Sequence, residues 1–357
     1  MKIKRFAFFL PQFYEIEENN KWWGNGFTEW VNVKNARLLY NGHKQPKEPL
    51  CGYYNLLDKQ TIIRQTKLLH KYNIDGMAYY HYYFRGKKLL EKPAENLLKW
   101  KDIDQKFFFC WANHPWIKSQ NGKKIILQEQ EYGDQKDWEA HFKYLLPFFK
   151  DKRYEKRNNK PVFMIFKSIF EEKDEMMKFF DKKCKENGFA GIFVINTCSS
   201  FEEYKRIKKY NEGMSYEQFY FFREPSCGQN ITNSAVRKID RKIRTIVNTK
   251  THFGMAPPVY SGDKILKKTI KNAVYGNDVY HGIFFEWDNT PRHKKLGYVI
   301  TPISKESFKK YYSTIKNEEY TFINAWNEWA EGMMLEGTKE YGYKYLEWLK
   351  EVDDEEK

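Results

Sequence analysis

The stretch that decides the fold of this chain is Asn324–Gly332, which reads NAWNEWAEG. A short apolar, β-rich run, Thr321–Ile323, comes directly before it and is typical of a buried strand. Glu328 and Glu331 therefore follow a strand end, among tryptophans and carboxamides. Because asparagine and tryptophan alternate with the acids, neither the strand period of about 2 nor the helix period of about 3.6 produces an apolar face. We interpret the stretch as the edge of an active site.

Further apolar runs predict strands along the chain. They are Phe6–Leu10, Ile74–Tyr82, Phe107–His114, Pro161–Phe166, Gly191–Asn196, Met214–Phe222 and Gly282–Asn289. Helical spacing predicts helices between them, at Thr61–Tyr72, Leu89–Trp100, Trp138–Phe149, Glu175–Asn187, Glu202–Tyr210, Ser234–Val247, Ser307–Lys316 and Tyr343–Val352. This alternation of strands and helices, without a linker, predicts an α/β fold.

Two architectures of the α/β class compete. A doubly wound sheet normally carries a glycine-rich phosphate loop after its first strand, and the sequence has none. Polar and aromatic clusters follow many of the predicted strands, as expected for a (β/α)₈ barrel of the TIM type, whose sites draw on many strand ends. We therefore predict one barrel domain over residues 1–352, followed by an acidic, frayed tail at 353–357.

The composition narrows the function. The chain has 28 Phe, 26 Tyr and 11 Trp, and aromatic rings beside polar residues provide stacking surfaces for sugar rings. The net charge is +15, but its lysines are scattered through amphipathic segments and no nucleic-acid motif is present, so nucleic acid is not an expected partner. A phosphate-bearing sugar donor or an anionic membrane surface agrees better with this charge.

No cofactor is expected. The five cysteines show no C-x-x-C spacing, which favours neither a disulfide framework nor a zinc site. Asp102-Ile103-Asp104 has the D-x-D spacing of metal-dependent transferases, but it lies among lysines before a strand, and we interpret it as a solvated turn. We predict no metal.

The first residues do not resemble a secretion signal. The apolar run after Arg5 ends at Pro11, which is too short for a signal sequence, and no window reaches the ~20 apolar residues of a membrane span. We expect a cytoplasmic protein, with peripheral contact with the inner membrane as an alternative.

Five motifs, in order, resemble the WbsX-like family of bacterial O-antigen and capsule synthesis, generally described as glycosyltransferases. They are Trp22–Trp30, Tyr79–Tyr82, Cys110–Asn113, Trp287–Arg292 and Asn324–Gly332. That family is in turn similar to the endo-α-mannosidase/mannanase glycoside hydrolases, which are (β/α)₈ barrels. The resemblance spans residues 6–346 and implies the same fold.

The resemblance also implies roles for the two glutamates. Glu328 would act as base on the sugar 2-hydroxyl, whose oxygen displaces the anomeric substituent and forms a 1,2-anhydro intermediate. Glu331 would protonate the departing oxygen and later deprotonate the acceptor. Two positions depart from the pattern: Ala330 replaces the histidine usual in the hydrolases, and His114 replaces the glutamate of the W-A-N-E-x-W pattern.

We predict Glu328 and Glu331 as catalytic residues, because acetal exchange needs a proton donor and a group that generates or stabilises positive charge at the anomeric carbon. Predicted substrate contacts are Trp23, Glu29, Trp30, Tyr80, His81, Tyr82, Trp111, Asn113, Trp116, Trp287, Asp288, Arg292, Trp326 and Asn327. For His81 the alternative is a core histidine, and for Asp288 with Arg292 it is a structural ion pair.

Three functions remain open from the sequence. The favoured one is a retaining glycosyltransferase of surface-polysaccharide synthesis, with a nucleotide-sugar donor and a lipid-linked acceptor. The second is a retaining, endo-acting glycoside hydrolase that works through the 1,2-anhydro intermediate. The third is a carbohydrate-binding protein without catalysis, a reading that the departures at His114 and Ala330 allow.

Overall fold

Eight parallel strands close into a barrel in the computed structural model, which describes residues 3–120, 123–231, 235–250 and 254–355. Each strand pairs in parallel with the next, and the last pairs with the first. The strands are β1 Lys4–Phe9, β2 Gly76–Phe84, β3 Lys106–Trp111, β4 Lys160–Ile165, β5 Phe193–Cys198, β6 Glu217–Phe222, β7 Val279–Phe284 and β8 Tyr320–Asn324. The predicted barrel is confirmed.

Helices connect successive strands and cover the outside of the barrel. They are α1 Lys59–Lys71, α2 Lys92–Lys99, α3 Gln135–Lys150, α4 Lys173–Glu186, α5 Phe201–Tyr210, α6 Gly262–Asn272, α7 Lys305–Ile315 and α8 Lys344–Asp354. Their starts follow local chemistry: the Asp58 side chain caps α1, and Asp134 with Asp137 forms a capping box at α3.

Smaller elements lie in the connections. Four short helices are Glu17–Trp23, Glu29–Lys34, Ser226–Ile231 and Thr290–His293, and a longer one is Ala235–Lys250. Single 3₁₀ turns are Lys294–Leu296 and Trp329–Glu331. Short strands are Lys87–Leu89, Trp116–Gln120, Lys123–Gln128, Lys156–Arg157, Val259–Tyr260, Trp287–Asp288, Val299–Ile300, Asn327–Glu328 and Met333–Met334.

Aromatic rings fill the inside of the barrel. Phe322 packs edge-on against Phe108 at 5.7 Å and against Phe221 at 4.9 Å between ring centroids, and Phe8 stacks with Tyr80 at 5.4 Å. Each of the four phenylalanines is fully buried. The aromatic content of the chain therefore serves the core to a large extent, and the filled lumen restricts a ligand to an end of the barrel.

Several boundaries differ from the prediction, three of them as follows. The predicted helix at Leu89–Trp100 begins only at Lys92, with Pro93 in its first turn, and Leu89 belongs to a short strand. The strand predicted to reach Asn289 ends at Phe284, before the separate strand Trp287–Asp288. The predicted helix at 234–247 is found at Ala235–Lys250, and residue 234 lies outside the described residues.

The frayed tail predicted from residue 353 onward is corrected at its start. α8 runs to Asp354, and Asp353 is buried beside the equally buried Arg5, whose Nη1 donates to its Oδ2 at 2.9 Å. A buried carboxylate with an arginine partner ties the end of α8 to β1. Residues 356 and 357 lie outside the described part of the chain.

Among the described residues, no helix has the length and apolar character needed to cross a bilayer.

Candidate active site

A cavity of about 600 Å³ opens at the carboxyl ends of the barrel strands. Its wall draws on the segments that follow six of the eight strands and on Tyr80 and Tyr82 near the end of β2, whereas no described wall residue comes from β5 or the segment after it. This distribution is the one typical of barrel enzymes. Among the predicted site residues, nine line the cavity: Trp23, Glu29, Tyr80, Tyr82, Trp116, Trp287, Arg292, Glu328 and Glu331.

A tight turn places both glutamates in the cavity wall. After β8 the chain forms the strand Asn327–Glu328, which pairs with Met333–Met334 in antiparallel register. Gly332 closes the intervening turn with φ +63°, a region that favours glycine. A Cβ atom at Gly332 would lie 2.8 Å from the backbone nitrogen of Asp288, so the glycine also permits close contact with that segment.

One arginine holds three carboxylates together. Arg292 Nη2 lies 3.2 Å from Glu29 Oε2 and 3.6 Å from Glu328 Oε2, and its Nη1 pairs with Glu331. Burial disfavours the charged guanidinium, but Glu29, Glu331 and Glu328 outweigh this effect and raise the pKa of Arg292. Three acids facing one base leave an excess of negative charge, which favours proton uptake by the cluster.

Glu328 is the group that takes up the proton. Burial first, and repulsion from Glu331 second, raise the pKa of Glu328 to about 8 against the opposing effect of Arg292. Its Oε2 is buried and has no hydrogen-bond partner among the described residues. Near neutral pH Glu328 therefore keeps a proton, and a carboxyl group in this state can exchange a proton with a reacting group.

This raised pKa predicts a pH-dependent stability. The folded Glu328 keeps its proton from its ordinary pKa of 4.5 up to about 8, whereas the unfolded residue releases it, so stability falls as pH rises through this window. Glu328→Gln is expected to be more stable than wild type near pH 8, by about 1–3 kcal/mol, and to lose this advantage towards pH ~5. Urea unfolding of both proteins across this range measures the difference. An equal difference at both ends of the range would contradict the raised pKa.

Aromatic side chains form much of the remaining wall. Trp116 packs edge-on against Tyr82 at 5.1 Å, and Trp23 stacks with Phe27 at 5.7 Å between ring centroids. Trp23 lines the cavity while leaving 42% of its surface exposed, which places it at the rim. The aromatic rings can stack against the C–H face of a sugar, and the carboxylates beside them can form hydrogen bonds with its hydroxyl groups.

Seven predicted contact residues do not line the cavity. Trp30, His81, Trp111, Asn113, Asp288, Trp326 and Asn327 are all buried within the protein. The indole nitrogens of Trp30 and Trp111 donate to backbone carbonyls at 2.7 and 3.2 Å, and His81 Nε2 lies 2.9 Å from His141 Nε2. For these residues the prediction of substrate contact is corrected: they support the wall from behind.

Two of the seven connect loops around the cavity. Asn327 accepts a hydrogen bond from the backbone nitrogen of Leu10 at 2.7 Å and donates to its carbonyl at 3.0 Å, which ties the segment before Glu328 to the end of β1. Asp288 accepts from Gln45 at 2.8 Å and lies 2.9 Å from His43. The alternative considered for Asp288 and Arg292, a structural ion pair, is not found among the described residues, because Arg292 pairs with the glutamates instead.

Several wall residues were missed from the sequence. Gln12, Asn32, Phe166, Arg223 and His293 all line the cavity. Arg223 directly follows β6, so the rule that polar residues at strand ends form the site would have found it.

A barrel with carboxylates and aromatic rings at its carboxyl end, in this sequence context, defines a carbohydrate-active enzyme. Residues 5–349 match the family described as glycosyltransferase WbsX. The chain belongs to this family, and the resemblance stated from its motifs is confirmed.

Relatives and solved structures agree with this assignment. Two proteins named WxcX, from two strains of Xanthomonas campestris pv. campestris, are 26% identical over 96% of this chain. The chain spans 48% of their length. The endo-alpha-mannosidase GH99 of Bacteroides thetaiotaomicron matches with a TM-score of 0.55 at 14% identity, covering 98% of this chain and 96% of that one. A glycoside hydrolase-like protein matches with a TM-score of 0.60 at 12% identity, covering 98% and 93%. At such identities the structures establish the shared fold.

Proposed function

We propose that the protein is a retaining glycosyltransferase that builds bacterial surface polysaccharide of the O-antigen or capsule type. The observation that carries the proposal is the cluster of Glu328, Glu331, Glu29 and Arg292 in the cavity of a chain from a glycosyltransferase family. Glu328 keeps a proton near neutral pH and lies in one cluster with a second carboxyl group, that of Glu331, and the aromatic wall offers surfaces for sugar rings.

The proposed reaction proceeds in two balanced steps. In the first, Glu328 removes the proton of the sugar 2-hydroxyl, the freed oxygen attacks the anomeric carbon, and Glu331 protonates the leaving oxygen. In the second, Glu331 removes the proton of the acceptor hydroxyl, whose oxygen opens the 1,2-anhydro ring while Glu328 returns a proton to the sugar oxygen. Two inversions at one carbon give net retention.

The proton must change partner before the first step. In the cavity without substrate Glu328 carries it, whereas the reaction needs Glu328 ionised and Glu331 protonated. A transfer of one proton between two glutamates that both contact Arg292 leaves the charge of the cluster unchanged. A sugar 2-hydroxyl that donates to Glu328 would favour its ionised form and so drive this transfer.

A hydrolase is the second candidate. A nucleotide diphosphate leaves readily without protonation, so a retained proton donor favours a sugar alkoxide as leaving group. The reaction would then follow the same steps, with water in place of the acceptor.

The test is a product assay on the purified protein. Nucleotide sugars are offered with lipid-linked acceptors, and α-linked oligosaccharides are offered separately, each to wild type and to Glu328→Gln. Nucleotide release that requires an acceptor and disappears in the variant is the expected result. Cleavage of oligosaccharides without a donor would overturn the transferase in favour of the hydrolase, and sugar binding without turnover would favour the binding protein.

The helix Ala235–Lys250 supports cytoplasmic action at an anionic membrane. Its span contains six basic residues and one acidic residue. Ile239, Ile243 and Ile246 recur on one helical face and are exposed by 59%, 49% and 46%. This helix contacts the segment after Arg292, where Asn248 donates to the carbonyl of Lys295 at 3.1 Å. An apolar stripe beside basic residues is typical of helices that lie in a membrane interface.

Replacing Ile239, Ile243 and Ile246 by serine is expected to lower binding to anionic vesicles by at least tenfold. Each side chain would lose about 1 kcal/mol of partial burial in the lipid interface. Sedimentation with vesicles containing phosphatidylglycerol, compared with neutral phosphatidylcholine, measures the effect. The control is Tyr275→Ser, which removes a side chain of 50% exposure that precedes β7 at the opposite end of the barrel. Equal binding of the triple variant and wild type would exclude this helix as the contact.

A further inference from the structure

Arg223 is a second arginine in the cavity, with different surroundings from Arg292. It follows the end of β6, and its backbone nitrogen donates to the carbonyl of Cys198 at 2.9 Å. Its guanidinium carbon lies 4.4 Å from the centre of the Phe166 ring. Both side chains belong to the cavity wall, so the ring holds the cation at the surface that a ligand meets.

No carboxylate of the described residues forms an ion pair with the Arg223 guanidinium. Arg292, by contrast, meets three glutamates in the same cavity. Arg223 is partly exposed, and none of its nitrogens is among the buried atoms without a partner. Its donors are therefore available to a molecule in the cavity. A guanidinium offers a planar fork that fits carboxylate and phosphate oxygens.

The loop after β3 places an uncharged histidine, His114, near Arg223. The His114 ring lies 5.2 Å from the Phe166 ring, so both His114 and Arg223 border the same aromatic side chain. Burial first, and Arg223 and Lys167 after it, lower the pKa of His114, so it is neutral at neutral pH.

Glu224, the acid next to Arg223 in the cavity wall, has its pKa raised to about 8 by burial, so it does not cancel the charge of Arg223 near neutral pH. Glu328 and Arg223 act with opposite sign on the buried hydroxyl of Tyr80, which lines the cavity near both. Lys124, an exposed residue of the hairpin after β3, also lines this cavity. A sugar with a negative group would lie with that group at Arg223, because the glutamate cluster repels it.

We propose that Arg223 and Phe166 form a subsite for an anionic group, a carboxylate or a phosphate, on the sugar substrate. The inference rests on the proposed function in that the cavity binds sugars, but it requires no turnover. The group has two possible sources: the diphosphate of a nucleotide-sugar donor, or an acidic sugar in the donor or acceptor.

Two matched pairs of probes test the subsite by equilibrium binding. They are uridine diphosphate against uridine, and methyl glucuronide against methyl glucoside, titrated into the wild-type protein by calorimetry. In at least one of the two pairs, the charged probe is expected to bind about ten- to hundredfold more tightly than its neutral counterpart. A preference in the nucleotide pair assigns the subsite to the donor phosphate, and a preference in the sugar pair assigns it to an acidic sugar.

Variants then assign the preference to Arg223. Arg223→Gln and His114→Glu are expected to abolish it, the second by supplying an internal carboxylate, while Arg223→Lys retains part of it. Arg157→Gln, which removes a cation outside the cavity, is the matched control and should leave the preference intact. Circular dichroism verifies that each variant is folded. Equal binding within both pairs in wild type, including no binding of either charged probe, would overturn the proposal, as would a preference that survives Arg223→Gln. Because no turnover is measured, an inactive protein that still prefers the charged probe contradicts the proposed reaction and not the subsite.

Discussion

Replacing Glu331 by glutamine is expected to lower turnover by about two to four orders of magnitude. Substrate affinity should change far less, because glutamine keeps the size of the side chain and most of its hydrogen bonding. The loss follows from the two roles of Glu331, which contacts Arg292 at the cavity wall: it protonates a sugar-alkoxide leaving group, and it removes the proton of the acceptor hydroxyl whatever the leaving group is. Steady-state kinetics of wild type and variant, with equilibrium binding measured beside them, separates the two effects. Unchanged turnover would place the proton donor elsewhere.

A glycosyl fluoride sharpens this comparison, since fluoride leaves without protonation. Glu331→Gln is expected to recover much of its rate for the first step on such a substrate, whereas Glu328→Gln is not, because the attack by the 2-oxygen still needs its base. The two variants are matched in chemistry and differ only in position. Recovery by Glu328→Gln instead would make Glu328 the proton donor and Glu331 the base. That assignment would agree with the raised pKa of Glu328.

Arg292→Gln is expected to destabilise the fold by about 2–4 kcal/mol at neutral pH. The change leaves Glu29, Glu328 and Glu331 in one cavity without their shared cation. Arg292 opposes the rise in the pKa of Glu328, so in the folded variant this pKa lies further above the unfolded value. The extra instability is therefore small at low pH, where Glu328 is protonated in both states, and grows as pH rises through neutrality. Urea unfolding at several pH values measures it, and activity should be lost in parallel.

Arg157→Gln is the control for this variant. Arg157 also bridges two carboxylates, pairing with Glu217 and lying 2.6 Å from Glu319, but next to the amino-terminal ends of the strands. Its removal is expected to cost stability while leaving activity unchanged. A pH dependence of Arg292→Gln stability that runs in the opposite direction would contradict the electrostatic account of the cluster.

The fold was predictable because each barrel strand is a buried apolar run with polar and aromatic residues after it. The site was predictable only in part, because a strand end does not show which side chains face the cavity. Trp326 and Glu328 belong to one motif, yet Trp326 is fully buried and Glu328 lines the cavity. The direction of each side chain depends on the pleat and on the turn after it. In the same way His81 points to His141, while Tyr80 and Tyr82 on either side line the cavity.

The partners of charged groups were the least predictable feature. Asp288 and Arg292 lie four residues apart, a spacing that favours a local ion pair. In the structure His43 and Gln45 bind Asp288. Arg292 forms ion pairs with three glutamates from two distant loops. Such partners meet only through the closure of the barrel, which brings the segments after β1, β7 and β8 together.

The measurement that tests the central claim most directly is the anomeric configuration of the first product, followed by proton NMR during turnover. Chemistry by Glu328 and Glu331 through two successive displacements predicts that the new bond, or the released sugar in a hydrolase, has the configuration of the substrate. A product of inverted configuration would show a single displacement and would contradict the paired roles of the two glutamates.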